Sequence, residues 1–144
     1  MKLKLNIDSL AEDFFHDTRL IGIVAPIKDY QLCWHLNHLL NIDFRNNNDI
    51  EIQLTKKNRN YYFAVFQYNE PSATLQHYLY NNHFDGEYLL SESRHLDFLY
   101  LLKGDTVTDD TLRELMHTIK QINGVQMVME LSLEKIKGRA NLIF

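Results

Sequence analysis

Two carboxylates carry the clearest chemical potential in this chain. Glu92 stands just before, and Asp97 just inside, the apolar run from Leu96 to Leu102. An acidic group at the mouth of a buried strand is unfavourable unless something pairs with it. Left free, the two would form an acid/base or metal-binding pair. Bonded to turn N–H groups, to Arg94 or to another cation, Asp97 would instead tie a loop to a strand. Buried charges are paired for structural reasons more often than for catalytic ones, so the structural role is the expectation. Two carboxylates alone specify no reaction, and no catalytic residue is assigned.

His35 and His38 lie three apart in a stretch that reads as a helix, which puts both on one side of it. With a third ligand they would hold zinc, but no nearby residue supplies the glutamate of a His-Glu-x-x-His motif, and solvent-facing histidines are the simpler reading. His16, His77, His83, His95 and His117 show no metal spacing. No metal and no cofactor is therefore expected. Cys33, the single cysteine, sits on the apolar stripe of the same helix and reads as a small core residue rather than a nucleophile. Trp34, the only tryptophan, shares a helix face with Tyr30 and Asn37; it would be a partner anchor if exposed, and would otherwise pack under a loop.

The stretch from Arg59 to Phe66 partly echoes the aromatic strand on which RNA-recognition domains stack bases. Lys56, Lys57 and Arg59 supply positive charge, and Tyr61 and Phe63 supply rings. Asn60 and Tyr62 stand where that pattern calls for glycine and a small residue. The net charge of −4 also argues against nucleic acid. RNA binding through residues 56–68 is thus the alternative, not the leading reading. A Gly-rich phosphate loop, a Gly-x-Ser-x-Gly elbow and a Cys-x-x-Cys pair are all missing from the sequence.

Leu90, Ser91, Glu92, Leu96, Asp97 and Phe98 together resemble the signature of the IPExxxVDY family, small bacterial proteins typical of Bacteroidetes. Glu92 and Asp97 match the motif outright. Leu90, Leu96 and Phe98 are like-for-like changes, and Ser91 replaces the proline. The Leu20-Ile21-Gly22-Ile23 run, Asp29-Tyr30 and the closing Asn141-Leu142-Ile143-Phe144 extend the resemblance over most of the chain. The family has no assigned activity, so the resemblance implies no reaction.

The elements that must position these residues follow from periodicity. The chain has 144 residues, 45% hydrophobic and 24% charged, which suits one globular domain spanning 1–144. One cysteine rules out an internal disulfide, the basic start lacks the apolar core of a signal peptide, and no stretch approaches the ~18 apolar residues of a membrane span. A cytoplasmic location is expected. Lys2 to Ile7 alternates like a half-exposed strand. Leu20 to Val24 reads as a strand buried on both faces, with Gly22 marking a close backbone approach. A helix follows Pro26 over about Ile27 to Leu40 and stops at Asn41. Asp49–Thr55, Tyr61–Tyr68, Thr74–Tyr80 and Leu96–Lys103 read as strands joined by short turns, so they should form an antiparallel meander.

Thr108 caps a second helix whose Asp109 and Asp110 suit the positive end of the helix dipole. Gly124 closes that helix, and Val125 to Leu131 is a last strand. The architecture is α+β: a mainly antiparallel sheet with two helices packed on one face. The other face, rich in rings, then asks for cover by the C-terminal tail, a second subunit or a base, in that order. The functional expectation is a non-catalytic protein–protein interaction domain that self-associates as a homo-oligomer through that face or an edge.

Overall fold

The computed structural model describes residues 10–71, 74–104 and 107–144. The alternating stretch from Lys2 to Ile7 lies outside the described residues. A helical segment over residues 10–14 (α1) leads into β1 (Thr18–Val24), α2 (Asp29–Leu40), β2 (Arg45–Lys56), β3 (Arg59–Asn69) and β4 (Gln76–Asn81). A small hairpin of β5 (His83–Phe84) and β6 (Glu87–Tyr88) follows, then a 3-10 turn at Ser91–Ser93 and β7 (Phe98–Lys103). The chain ends with α3 (Asp109–Lys120), β8 (Met127–Leu131) and two short 3-10 turns in the tail.

One sheet of six strands runs in the order β2-β3-β4-β7-β1-β8, every neighbour antiparallel. The meander β2-β3-β4-β7 follows chain order once the β5–β6 hairpin is set aside. β1 then inserts between β7 and β8, which leaves β2 and β8 as the edges. Flanked by β7 and β8, β1 is continuously apolar from Leu20 to Val24, as a central strand requires.

Each helix starts where local chemistry allows it. The Lys28 backbone is extended (φ −74°, ψ 153°) and its N–H donates to Gln31 Oε1 at 2.9 Å, so α2 begins at Asp29 rather than at Ile27. Pro26 belongs to the preceding turn, in which the Ile27 N–H donates to the Ala25 carbonyl at 2.8 Å. Asn41 ends α2 in the left-handed conformation at φ 53°. Thr108 Oγ1 accepts the Thr111 N–H at 3.1 Å and caps α3.

The sheet separates two apolar layers. Ile21, Ile23, Leu79, Phe98, Tyr100 and Leu102 face the helices and pack on Leu32 and Leu36 of α2 and on Leu112 and Ile119 of α3. The opposite face, carrying Leu20, Phe63, Val65, Tyr78, Tyr80, Leu99 and Leu101, is covered by the chain itself. Ala11 and Phe15 at the N-terminal side, Leu89, Leu90 and Leu96 from the motif loop, and Ile136 and Leu142 from the tail form that cover. The tail is thus the occupant of the ring-bearing face. Self-association through that face loses its premise, because the rings have already left water.

Candidate functional site

The motif loop is built around Asn82, a fully buried residue linking β4 to β5. Its side-chain amide donates to the carbonyls of Ser93 and Leu96, each at 2.9 Å, and its oxygen accepts the Leu90 N–H at 2.8 Å. These bonds fold residues 90–96 into a compact turn. Leu90 and Leu96 (0% exposed) and Phe98 (3%) are therefore core residues. Ser91 is exposed at the first position of the 3-10 turn. Leu96 also explains the glycine in β1: a Cβ on Gly22 would lie 2.7 Å from a Leu96 methyl.

The two carboxylates leave this turn in different directions. Asp97 Oδ2 accepts the N–H of Ala25 at 2.7 Å, while its own N–H donates to Ile23 O at 2.8 Å. The exposed His83 ring stands 3.6 Å from the other carboxylate oxygen. Asp97 thus fastens the exit of β1 to the entry of β7. Glu92, on the surface, accepts the N–H of Lys137 at 3.1 Å and of Gly138 at 2.7 Å, and so clasps the tail. Asn141 Nδ2 donates to Leu89 O (2.9 Å) and the buried Tyr80 hydroxyl donates to Leu142 O (3.0 Å), completing the seam. Arg94, a possible partner of Asp97 by sequence, instead lies over the Tyr88 ring at 5.5 Å. The carboxylates hold backbone rather than facing a shared cleft.

The expected ring platform on β3 is corrected by burial. Phe63 is fully buried and Tyr61 is 8% exposed, because the odd positions of β3 point into the tail-covered layer. Neither is available to stack a base or meet a partner. The basic residues beside them are engaged as well: Lys56 pairs with Glu87 at 3.0 Å, and Arg59 pairs with Asp85 and lies over the Tyr61 ring. Lys57 is exposed at a left-handed turn position (φ 52°). Two of the three turn charges that RNA binding would use, Lys56 and Arg59, therefore brace the β5–β6 hairpin.

Trp34 is exposed rather than packed under a loop. It is 58% exposed on the outer side of α2, with Tyr30 one turn earlier at 65%. His38, one turn later, packs against the indole with ring centroids 4.0 Å apart and an interplanar angle of 33°. Its Nδ1 lies 2.7 Å from the Trp34 carbonyl oxygen, so the ring is hydrogen-bonded in place. Leu32, Cys33 and Leu36 occupy the inner side of the same helix. The helical repeat puts Tyr30, Trp34 and His38 opposite them.

A groove of about 660 Å³ runs beside this stripe, lined by Ile27, Tyr30, Gln31, Trp34, His35 and Asn123. It lies within the size range of ligand pockets, and no Asp, Glu, Lys or Arg lines it. The sequence pairs Tyr30 with Trp34 on one face of the helix, and both are exposed there. It does not announce Asn82 as the organiser of the loop.

His35 and His38 do stand on the solvent side of α2. Among the described residues no group of three or more His, Cys, Asp or Glu is placed to hold a metal ion. Cys33 is buried, and burial, with a smaller contribution from the Asp29 charge, pushes its thiol pKa up to about 12, away from the thiolate form a nucleophile needs. Among the described residues no helix is long and apolar enough to cross a membrane. No protein-family model matches this chain, and no curated protein matches it.

Proposed function

We propose that this chain is a non-catalytic protein-interaction domain that docks through the outer face of α2. The exposure of Tyr30 and Trp34 beside a groove lined without Asp, Glu, Lys or Arg is the observation that carries this reading. Exposed rings next to a concavity are what interface hot spots are made from, and a cluster of them is unfavourable in water unless something uses it. The engagement of both motif carboxylates by backbone N–H groups supports a scaffold role for Glu92 and Asp97 rather than a reaction.

Membership in the IPExxxVDY family belongs to the same proposal. On that reading the family signature marks a clasp that fixes the β1 exit and the tail, and Ser91 replaces the motif proline at the start of a 3-10 turn, where proline's fixed φ is suited but not required. A cytoplasmic location is also part of it, in keeping with a lone, free cysteine.

Site-specific photocrosslinking in the native cell tests the docking face. A photoreactive residue at Tyr30 should give discrete protein adducts. The same residue at Tyr62, an exposed ring (42%) on β3, should not. Adducts from both positions, or from neither, would remove α2 as the docking face.

A further inference from the structure

We infer that the seat of the tail on the ring-bearing face is a peptide-binding site, which residues 136–144 fill as a displaceable strap. The partner it fits is a peptide of the tail's own pattern, with apolar anchors spaced as Ile136 and Leu142 are and an aromatic ring placed as Phe144 is. The site lies on the sheet face opposite α2, so the inference is independent of the α2 docking face.

The tail is held as a ligand is held. It joins neither sheet, and its internal backbone bonds are local, from the Asn141 N–H to Gly138 O and from the Ile143 N–H to Ala140 O. Its side chains divide into anchors and spacers. Leu142 has no exposed surface and Ile136 is buried, whereas Lys137 and Ala140 face solvent. Phe144 packs on Tyr78 and Phe14, with ring centroids 4.9 and 5.1 Å away. Glu92 and Tyr80 read its main chain, at the N–H groups of Lys137 and Gly138 and at the carbonyl of Leu142. Main-chain bonds give affinity and spaced anchors give specificity wherever an extended peptide is recognised.

The receiving groups do not depend on the tail for their positions. Glu92 sits in the 3-10 turn that Asn82 closes through the carbonyls of Ser93 and Leu96. The Leu89 N–H donates to Asn82 O at 2.7 Å, which fixes the residue whose carbonyl Asn141 meets. Tyr80 stands in β4, opposite Val65 on one side and Leu99 on the other. The site therefore stays built when the tail leaves. Leaving is within reach, because ordering residues 136–144 costs backbone entropy against two buried anchors and the bonds named.

Hydrogen exchange of the wild-type chain tests the opening. Relative to their intrinsic rates, the Lys137 and Gly138 amides should exchange at least ~100-fold faster than those of Leu99 and Leu101 in the central strand β7. A fluorescent peptide of residues 135–144, followed by anisotropy, tests the site. The wild-type chain should bind it weakly, because the attached tail competes at an effective concentration on the order of millimolar. Leu142→Ala in the chain removes the deepest anchor of the attached tail but leaves its seat intact, and should tighten peptide binding at least ~10-fold. The same substitution in the peptide should abolish that binding. Asn141→Ala in the chain removes only the bond to Leu89 O and should tighten binding a few-fold, which keeps the test open where Leu142→Ala does not fold.

Tail amides that exchange no faster than those of β7 overturn the strap. So does a folded Leu142→Ala or Asn141→Ala chain that binds the peptide no more tightly than wild type, or that binds the wild-type and substituted peptides alike.

Discussion

Replacing Asn82 by alanine should be among the most damaging single changes in this protein, although Asn82 lies in no signature and touches no cleft. The substitution removes three hydrogen bonds of 2.8–2.9 Å. It strands the Leu90 N–H and the Leu96 carbonyl, both on residues with no exposed surface. A buried group left unpaired costs about 1–3 kcal/mol, and the third bond, to the partly exposed Ser93, contributes about 1 kcal/mol. The sum is about 3–7 kcal/mol, which for a chain of this length lowers the melting temperature by roughly 10–20 °C. Urea unfolding followed by circular dichroism measures it, with an unchanged slope confirming that both states are otherwise the same. Asn82→Asp refines the result. It keeps the acceptor for Leu90 but turns a carboxylate oxygen toward two carbonyls, so it should be at least as unstable at neutral pH and regain stability on acidification. A loss below about 1 kcal/mol for Asn82→Ala, or a stable Asn82→Asp, would refute the picture of Asn82 as the organiser of the motif loop.

Two other perturbations follow from the same geometry. Asp97→Ala should lose about 2–3 kcal/mol by stranding the buried Ala25 N–H, whereas Asp97→Asn, which keeps an oxygen acceptor, should lose about 1 kcal/mol; thermal melts decide it, and an Asp97→Ala protein as stable as wild type would return Asp97 to the list of functional acids. His77 is buried against Phe44, Tyr68 and Tyr100, with Nδ1 2.6 Å from the Tyr100 hydroxyl and Nε2 3.8 Å from Glu70. Burial lowers its pKa more than the Glu70 charge raises it. The unfolded chain therefore binds the proton more readily, so stability is complete above an unfolded pKa of about 6.5 and falls as pH drops below it. Unfolding free energies between about pH 7.5 and pH 5 should decline more steeply for wild type than for His77→Leu, and parallel profiles would contradict this.

Much of the secondary structure was legible because its causes are local. Thr108, Asp109 and Asp110 announce the start of α3, Gly124 takes the left-handed turn after it (φ 100°), and Asn41 does the same for α2. Continuous apolar character in Leu20–Val24 correctly placed β1 in the interior of the sheet. Gly22 signalled a close approach, although only the structure shows that the approaching atoms belong to Leu96. The α+β class followed from the order of these elements.

What the linear order left open was decided at long range. Period-two alternation in β3 separates its two faces but does not say which segments cover them. Tyr61 and Phe63 looked available because the elements that bury that layer come from residues 11–15, 89–96 and 136–142, far apart in the chain. The same holds for the acidic pair. The partner of Asp97 is a backbone N–H 72 positions away, and those of Glu92 are 45 and 46 positions away. Backbone donors are identical at every residue, so no side-chain pattern marks them in advance. The sequence alone therefore determined the α+β class and which stretches form the main strands and helices. Only the tertiary structure decided which ring stays outside, because exposure at Trp34 is a property of what packs around α2 and not of the helix itself.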